Sequence, residues 1–403
     1  MSANEQVDSI GARVKRARFL AGMTQQRLAT DALVSLSLVK AVEQGRVPAS
    51  PAFVAAVARA LKTDSAYLLD LPQRADDSEG HRVHAVIPDL RREIAAYRMP
   101  SDDGVHPRSF SEISESVAKA SKLRHSVALD SLGVEIPGLL SEIRVAIAEA
   151  TGNERERLFG LLAEAYAAAG QVAWKLGYAD LSSLITDRLE WAAHQSQDPL
   201  AAAAADFCVA GELIITAQWS TALIFCERAR GRIEDFVRTG DEAALAMYGM
   251  LHLKSGLAAA RAGDTTTSDA HLTEARSAAK RVRLGSDHYR LAFDEDNVNI
   301  WAVGLAVERL DGTEAVKRAQ GLRFSASTPR ERIGHHWIDL ARAYQLHGDR
   351  ERALSVLHKA RKTTPQQARY NPQVRETLLT LAAHDRRRSD SLSGFARWAG
   401  IKL

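Results

Sequence analysis

The chain has 403 residues, 46% hydrophobic and 26% charged, a balance that excludes a disordered or fibrous protein and leaves room for two or three folded domains. Its two cysteines, Cys208 and Cys226, provide neither a disulfide framework nor zinc-ligand spacing, and both fall on faces expected in the core. The net charge of +3 sits entirely in residues 1–72, where nine Lys/Arg oppose six Asp/Glu while the rest of the chain balances, as expected if that end faces phosphate.

Apolar residues recur at three- and four-residue steps almost throughout, and the period-two alternation of a strand is nearly absent, so the expected fold class is all-α. No run of about 18 apolar residues occurs, and MSANEQVDSI lacks the basic-then-apolar layout of an export signal, so a cytoplasmic protein with no membrane partner is expected.

In chain order, the first 70 residues break into five short helices, at about 8–21, 24–31, 35–43, 50–62 and 65–70. Gly22 closes the first, Thr24 caps the second and Ser35 the third, Gly45 ends the third, and Ser50-Pro51 opens the fourth with proline at the first helical position. These helices make residues 1–72 a five-helix domain. A polar linker follows at 73–82, within PQRADDSEGHR.

Helices are then expected near 86–98, 110–130, 136–151 and 153–176, with residues 83–152 forming a connector that is also a candidate dimerisation region. From 153 to 403 long helices pair through short turns. In residues 336–365, Trp337, Leu340, Ala341, Tyr344, Ala353, Leu357, Ala360 and Pro365 resemble the packing positions of a tetratricopeptide repeat, with Gly348-Asp349 as its turn. Weaker copies surround Ala222, Cys226 and Ala229, Gly263-Asp264, and Trp301 with Gly312, at irregular spacing. The expected architecture is a five-helix head followed by an α-solenoid of degenerate repeats.

A helix-turn-helix reads DNA by anchoring one helix end on the backbone and laying the next helix in the major groove. Gln25 and Gln26 stand at the N-terminal end of the second helix, where amides meet phosphate oxygens. The third helix begins at Ser35 and is expected to expose Leu36, Ser37, Lys40 and Gln44, while Leu33, Val39 and Val42 point to the core. Arg46, together with Arg13, Lys15 and Arg16 on the first helix, would add salt-dependent backbone contacts.

Residues 14–69 resemble the phage-repressor and Cro class of helix-turn-helix, the XRE family. Arg18 before Gly22-Met23-Thr24-Gln25, then Leu28-Ala29, Val34-Ser35, Glu43-Gln44-Gly45, Pro48 and the Ala58–Leu61 pattern carry the likeness. The resemblance implies that Gln25 contacts the DNA backbone, that side chains from Ser35 to Lys40 read bases, and that Arg18 pairs with Glu43 as an internal brace. Leu36 and Leu38 stand where polar residues are frequent, which points to sparse base readout or contacts with thymine methyls.

The order of head, linker and repeats also resembles bacterial regulators, peptide-sensing ones among them, in which a repeat superhelix binds a ligand and dimerises. A homodimer on a double-stranded inverted-repeat operator, with a peptide or small-molecule effector, is the expectation. Candidate groove residues are Arg261, Asn297, Asn299, Arg309, His335 and Arg342, placed by the rule that the first helix of each hairpin lines the concave face. The rival expectation is a protein–protein scaffold in which DNA binding is secondary or lost. No metal, cofactor or catalytic residue is expected, because His252, His288 and His335-His336 lack partners at ligand spacing and neither a phosphate loop nor GxSxG nor HExxH occurs.

Overall fold

The computed structural model describes residues 9–71, 82–100, 104, 106–384 and 390–401, and the expected linker lies, apart from Arg82, outside them. The described residues are all-α. The head contains α1 (Ile10–Leu20), α2 (Gln25–Asp31), α3 (Leu36–Glu43), α4 (Pro51–Leu61) and α5 (Ser65–Leu69). Its caps follow directly from its chemistry. Ser9, Thr24, Ser35 and Ser50 hydroxyls accept the N–H groups of Ala12, Arg27, Leu38 and Phe53, and Asp64 accepts that of Ala66. Ile10, Val14, Leu28, Val39, Val42, Phe53, Val57 and Leu68 form its core.

Next come α6 (Ile87–Ala95), α7 (Phe110–Ser126), α8 (Leu129–Glu149) and α9 (Gly152–Lys175). Here the structure departs from the sequence reading. The helix expected to start at 136 begins at Leu129, after Val127 breaks the preceding one in the left-handed region, and runs through Pro137. Burial of Leu132, Ile136, Leu140 and Ile143 outweighs the roughly 3 kcal/mol that an internal proline costs. Val83, Leu90, Ile113, Leu132 and Ile143 share one core with Leu162, Tyr166 and Val172 of α9, so the connector packs directly on the first repeat helices.

The solenoid continues through α10 (Ala179–Gln195), α11 (Pro199–Ile215), α12 (Trp219–Arg232), α13 (Glu234–Thr239), α14 (Glu242–Arg261) and α15 (Thr265–Ala279). It ends with α16 (Glu295–Glu308), α17 (Gly312–Ala319), α18 (Arg330–His347), α19 (Arg350–Thr363), α20 (Pro365–Tyr370), α21 (Pro372–His384) and α22 (Asp390–Trp398). In the α18–α19 hairpin Ala341, Ala353, Leu357 and Ala360 are fully buried, and small side chains on both helices permit close approach.

One turn device recurs along the solenoid. At Gln197-Asp198, Gly240-Asp241, Gly263-Asp264, Leu310-Asp311 and Gly348-Asp349 a left-handed residue precedes an aspartate. Each aspartate carboxylate then caps the next helix. Three of the five use glycine, which takes positive φ without steric penalty; Gln197 and Leu310 do so against their preference.

Early and late elements of the repeat body meet through polar contacts. Lys175 of α9 donates to Glu331 of α18 at 3.0 Å, Arg290 to Glu164 at 2.9 Å, and the Tyr289 hydroxyl to Asp198 at 2.6 Å. His125 lies 3.2 Å from Asp287, and the Gln366 side chain accepts the Leu129 N–H at 2.7 Å. The head rests on this body: Trp219 packs against the head core, and Arg375 of α21 donates to Asp70 at 3.2 Å.

Candidate nucleic-acid interface

Three helices of the head are tied at one carboxylate. Arg18 on α1 donates through Nε and Nη2 to the two oxygens of Glu43 on α3, at 2.6 and 2.8 Å, while its Nη1 reaches the Met23 carbonyl at 2.9 Å. Gln25 on α2 donates through Nε2 to the same carboxylate at 2.8 Å. The side chains of Arg18 and Glu43 are 6% and 2% exposed, and the bidentate bond to Glu43 holds the guanidinium above its ordinary pKa despite its burial. Close packing of α1 on α3 is enforced at Gly11, where a Cβ would stand 2.1 Å from the Val42 carbonyl oxygen.

This knot fixes α3 by its C-terminal end and leaves its outer face to solvent. Ser35, Ser37, Lys40, Gln44 and Arg46 are exposed, and Leu36 and Leu38 are half-buried against the head core. The Ser35 and Ser37 hydroxyls lie 3.0 Å apart, and Ser35 caps the helix. On α2, Gln26 and Arg27 are exposed, Arg27 pairing with Asp31 at 2.7 Å. Lys15 and Arg16 are exposed on α1. Three basic side chains on the two reading helices and the following turn, Arg27, Lys40 and Arg46, therefore reach solvent, a suitable arrangement for phosphate oxygens.

Three placements differ from the sequence reading. Arg13 is buried and donates to the Leu68 carbonyl at 2.8 Å, so it serves the head's interior rather than DNA. Leu33 is 82% exposed, because the turn between α2 and α3 takes it into the left-handed region and swings its side chain away from the core. Gln25 is half-buried with its amide committed to Glu43, a bond that spacing alone could not reveal.

The groove candidates lie in two settings. Arg261 and Arg342 both pair with Glu308, at 2.8 and 3.0 Å, and Arg309 pairs with Asp269 at 2.9 Å. His335 lies 2.9 Å from Glu331, beside Lys175. Asn299 is half-buried, whereas Asn297 is 1% exposed, with its N–H bonded to the Asp294 cap and its amide 3.7 Å from the Met250 sulfur. Asn297 is thus buried in the α14–α16 packing and withdrawn from the groove, where the sequence reading places it. Sequence reasoning missed Lys175 and Glu331, whose pairing spans 156 residues. A cavity is lined by Lys122, His125, Ser286, Asp287, Ser327 and Arg330 among others.

Among the described residues no group of three His, Cys, Asp or Glu is arranged to hold a metal ion, and no helix is long and apolar enough to cross a membrane.

Residues 9–70 match the family model described as a helix-turn-helix domain. The head is a helix-turn-helix domain. The match covers α1 to α5 with their caps and the Glu43 knot. No curated protein matches the chain. Among solved structures, BtubC (BKLC) from P. vanneervenii is 14% identical with a TM-score of 0.35, over 63% of this chain and 91% of that one. Bacillus thuringiensis PlcR, in complex with the peptide PapR7 and DNA, is 15% identical with a TM-score of 0.27, over 68% of this chain and 95% of that one.

Proposed function

We propose that this chain is a sequence-specific DNA-binding transcription regulator of XRE type, acting in the cytoplasm as a homodimer on an inverted-repeat operator. Residues 1–72 read DNA, 73–82 link, 83–152 connect and contribute to dimerisation, and 153–403 form a sensor for a peptide or small molecule. The observation that carries the reading is the helix-turn-helix head with α3 braced from beneath by Arg18 and Glu43 while Ser37 and Lys40 are exposed on its outer face. Ser35, Leu36, Ser37 and Lys40 are assigned to bases and adjoining phosphates, and Gln26 and Arg46 to backbone.

Gln25 contributes its place at the start of α2, where free backbone N–H groups favour a phosphate. Arg261, Asn299, Arg309, His335 and Arg342 remain the sensor candidates, and a ligand would have to exchange with the existing carboxylate partners of all but Asn299. Selection of genomic fragments from the source genome with the full-length protein tests the reading. Enrichment of one short two-fold motif is expected; a population indistinguishable from input would overturn it.

A further inference from the structure

The loop between α15 and α16 concentrates strained backbone. Tyr289, Arg290 and Ala292 all take positive φ, between 48° and 59°, a region that costs a non-glycine residue roughly 1–2 kcal/mol. The conformation is held from outside the loop: the Tyr289 hydroxyl donates to Asp198 at 2.6 Å, Arg290 donates to Glu164 at 2.9 Å, and His125 of α7 lies 3.2 Å from Asp287. Gly285 presses against the loop before α18, where a Cβ in its place would stand 2.8 Å from Ser327. Strain that surrounding bonds over-determine in this way gathers at functional segments.

Between this loop, the end of α7 and the start of α18 lies a cavity of about 290 Å³, many times what one water needs, walled by Lys122, His125, Asp287, Asp294, Ser327 and Arg330 among others. Its carboxylates are already engaged. The Asp287 oxygens take the Ala292 N–H at 3.1 Å and the His125 Nε2 at 3.2 Å, and those of Asp294 take the Asn297 and Gly285 N–H groups at 2.9 and 3.0 Å. Its two cations are not. Lys122 and Arg330 are exposed and make no hydrogen bond or ion pair among the described residues.

We propose that this cavity binds a small oxyanion, the phosphate or carboxylate group of a metabolite, between Lys122 and Arg330. The anion supplies the acceptors that both cations lack: the Arg330 guanidinium offers a planar fork to two oxygens and Lys122 a point charge. Ser327, whose hydroxyl lies 3 residues' reach from α18 and bonds Ser325 at 2.7 Å, keeps hydrogen-bonding capacity for the same ligand. Lys122 belongs to the connector and Arg330 to the last repeats, so a bound anion ties the two together where the strained loop packs between them. The site is separate from the groove candidates and stands independently of the DNA-binding reading.

Thermal unfolding of the full-length protein at constant ionic strength, titrated with inorganic phosphate and separately with citrate, tests the site in wild type, Lys122→Ala, Arg330→Ala and the double variant. Both side chains are exposed, so all four proteins should share one midpoint in chloride alone. At a hundredfold excess over Kd the anion should raise the wild-type midpoint by about 3 °C beyond the double variant, which keeps only the general stabilisation that excluded anions exert. A specific rise with phosphate alone assigns the site to phosphate esters, and one with citrate alone to carboxylates. Amide exchange places the ligand: residues 285–292 and 326–330 should be slowed by the anion in wild type and not in the double variant. Equal rises in wild type and double variant, protection confined to the head, or no rise with either anion would overturn the site. Each of these failures leaves selection of genomic fragments to decide the DNA-binding reading by itself.

Discussion

At residue scale the head depends on a single buried carboxylate. Glu43→Ala leaves Arg18 buried without its partner and releases Gln25, and about 3 kcal/mol of stability should be lost, seen as a lowered unfolding midpoint in urea. Gln25→Ala removes one of three donors and should cost about 1 kcal/mol. Equal midpoints for wild type and Glu43→Ala would remove the brace. Three histidines set an acid limit of their own. Burial holds His336 at about 4, and in the His252–His271 pair, with Nδ1 atoms 2.9 Å apart, burial and Arg230 hold the rings at about 3 and about 4. Their pKa values are lower folded than unfolded, so the stability they contribute is present above the unfolded value near 6.5 and is lost as pH falls from there. His336 alone should withdraw on the order of 2 kcal/mol by pH 5. His336→Phe, placed among Phe324 and Trp337, should flatten the stability curve between pH 7 and 5; an unaltered slope would contradict the assignment.

At the scale of elements, the repeat turns make their own prediction. Leu310 sits 41% exposed with φ of 60°, where three equivalent positions carry glycine. Leu310→Gly should stabilise the protein by up to about 1 kcal/mol, relief of left-handed strain exceeding glycine's entropic cost. A lower melting temperature for the variant would show that Leu310 packs better than its exposure implies. Elements were also where the sequence was most legible. Ser9, Thr24, Ser35 and Ser50 mark helix starts, and Gly22 and Gly45 mark ends, because caps and left-handed turns are local chemistry. The same local logic misplaced the start of α8, where Pro137 reads as a helix opening and distant packing overrides it. The turn at Leu33 escaped for a similar reason: an apolar residue at helical spacing signals core, whereas its backbone conformation is imposed by the approach of α3 to α2.

For the whole molecule, the decisive contacts are long-range and had no signature in spacing. Lys175 and Glu331 join early and late helices of the repeat body through a buried pair, with Arg332 and His335 also on the carboxylate, and the Lys175 and Arg332 charges hold Glu331 well below the usual carboxylate range against its desolvation. Glu331→Ala should leave Lys175 unpaired, cost about 3 kcal/mol and let the two ends of the solenoid part, which small-angle scattering would register as a larger radius of gyration. An unchanged radius with only lowered stability would mean that apolar packing holds the closure without the pair. The head meets this body through the Arg375–Asp70 bond and the packing of Trp219 on the head core.

Whether the outer face of α3 reads DNA is decided by measuring, for wild type and Lys40→Ala, affinity for the fragment selected from the genome as a function of salt concentration. Lys40→Ala should melt with the wild type, bind more weakly, and lower the slope of log affinity against log salt by about one, the signature of one lost phosphate contact. Identical affinity and slope for the two proteins would contradict DNA reading by this face.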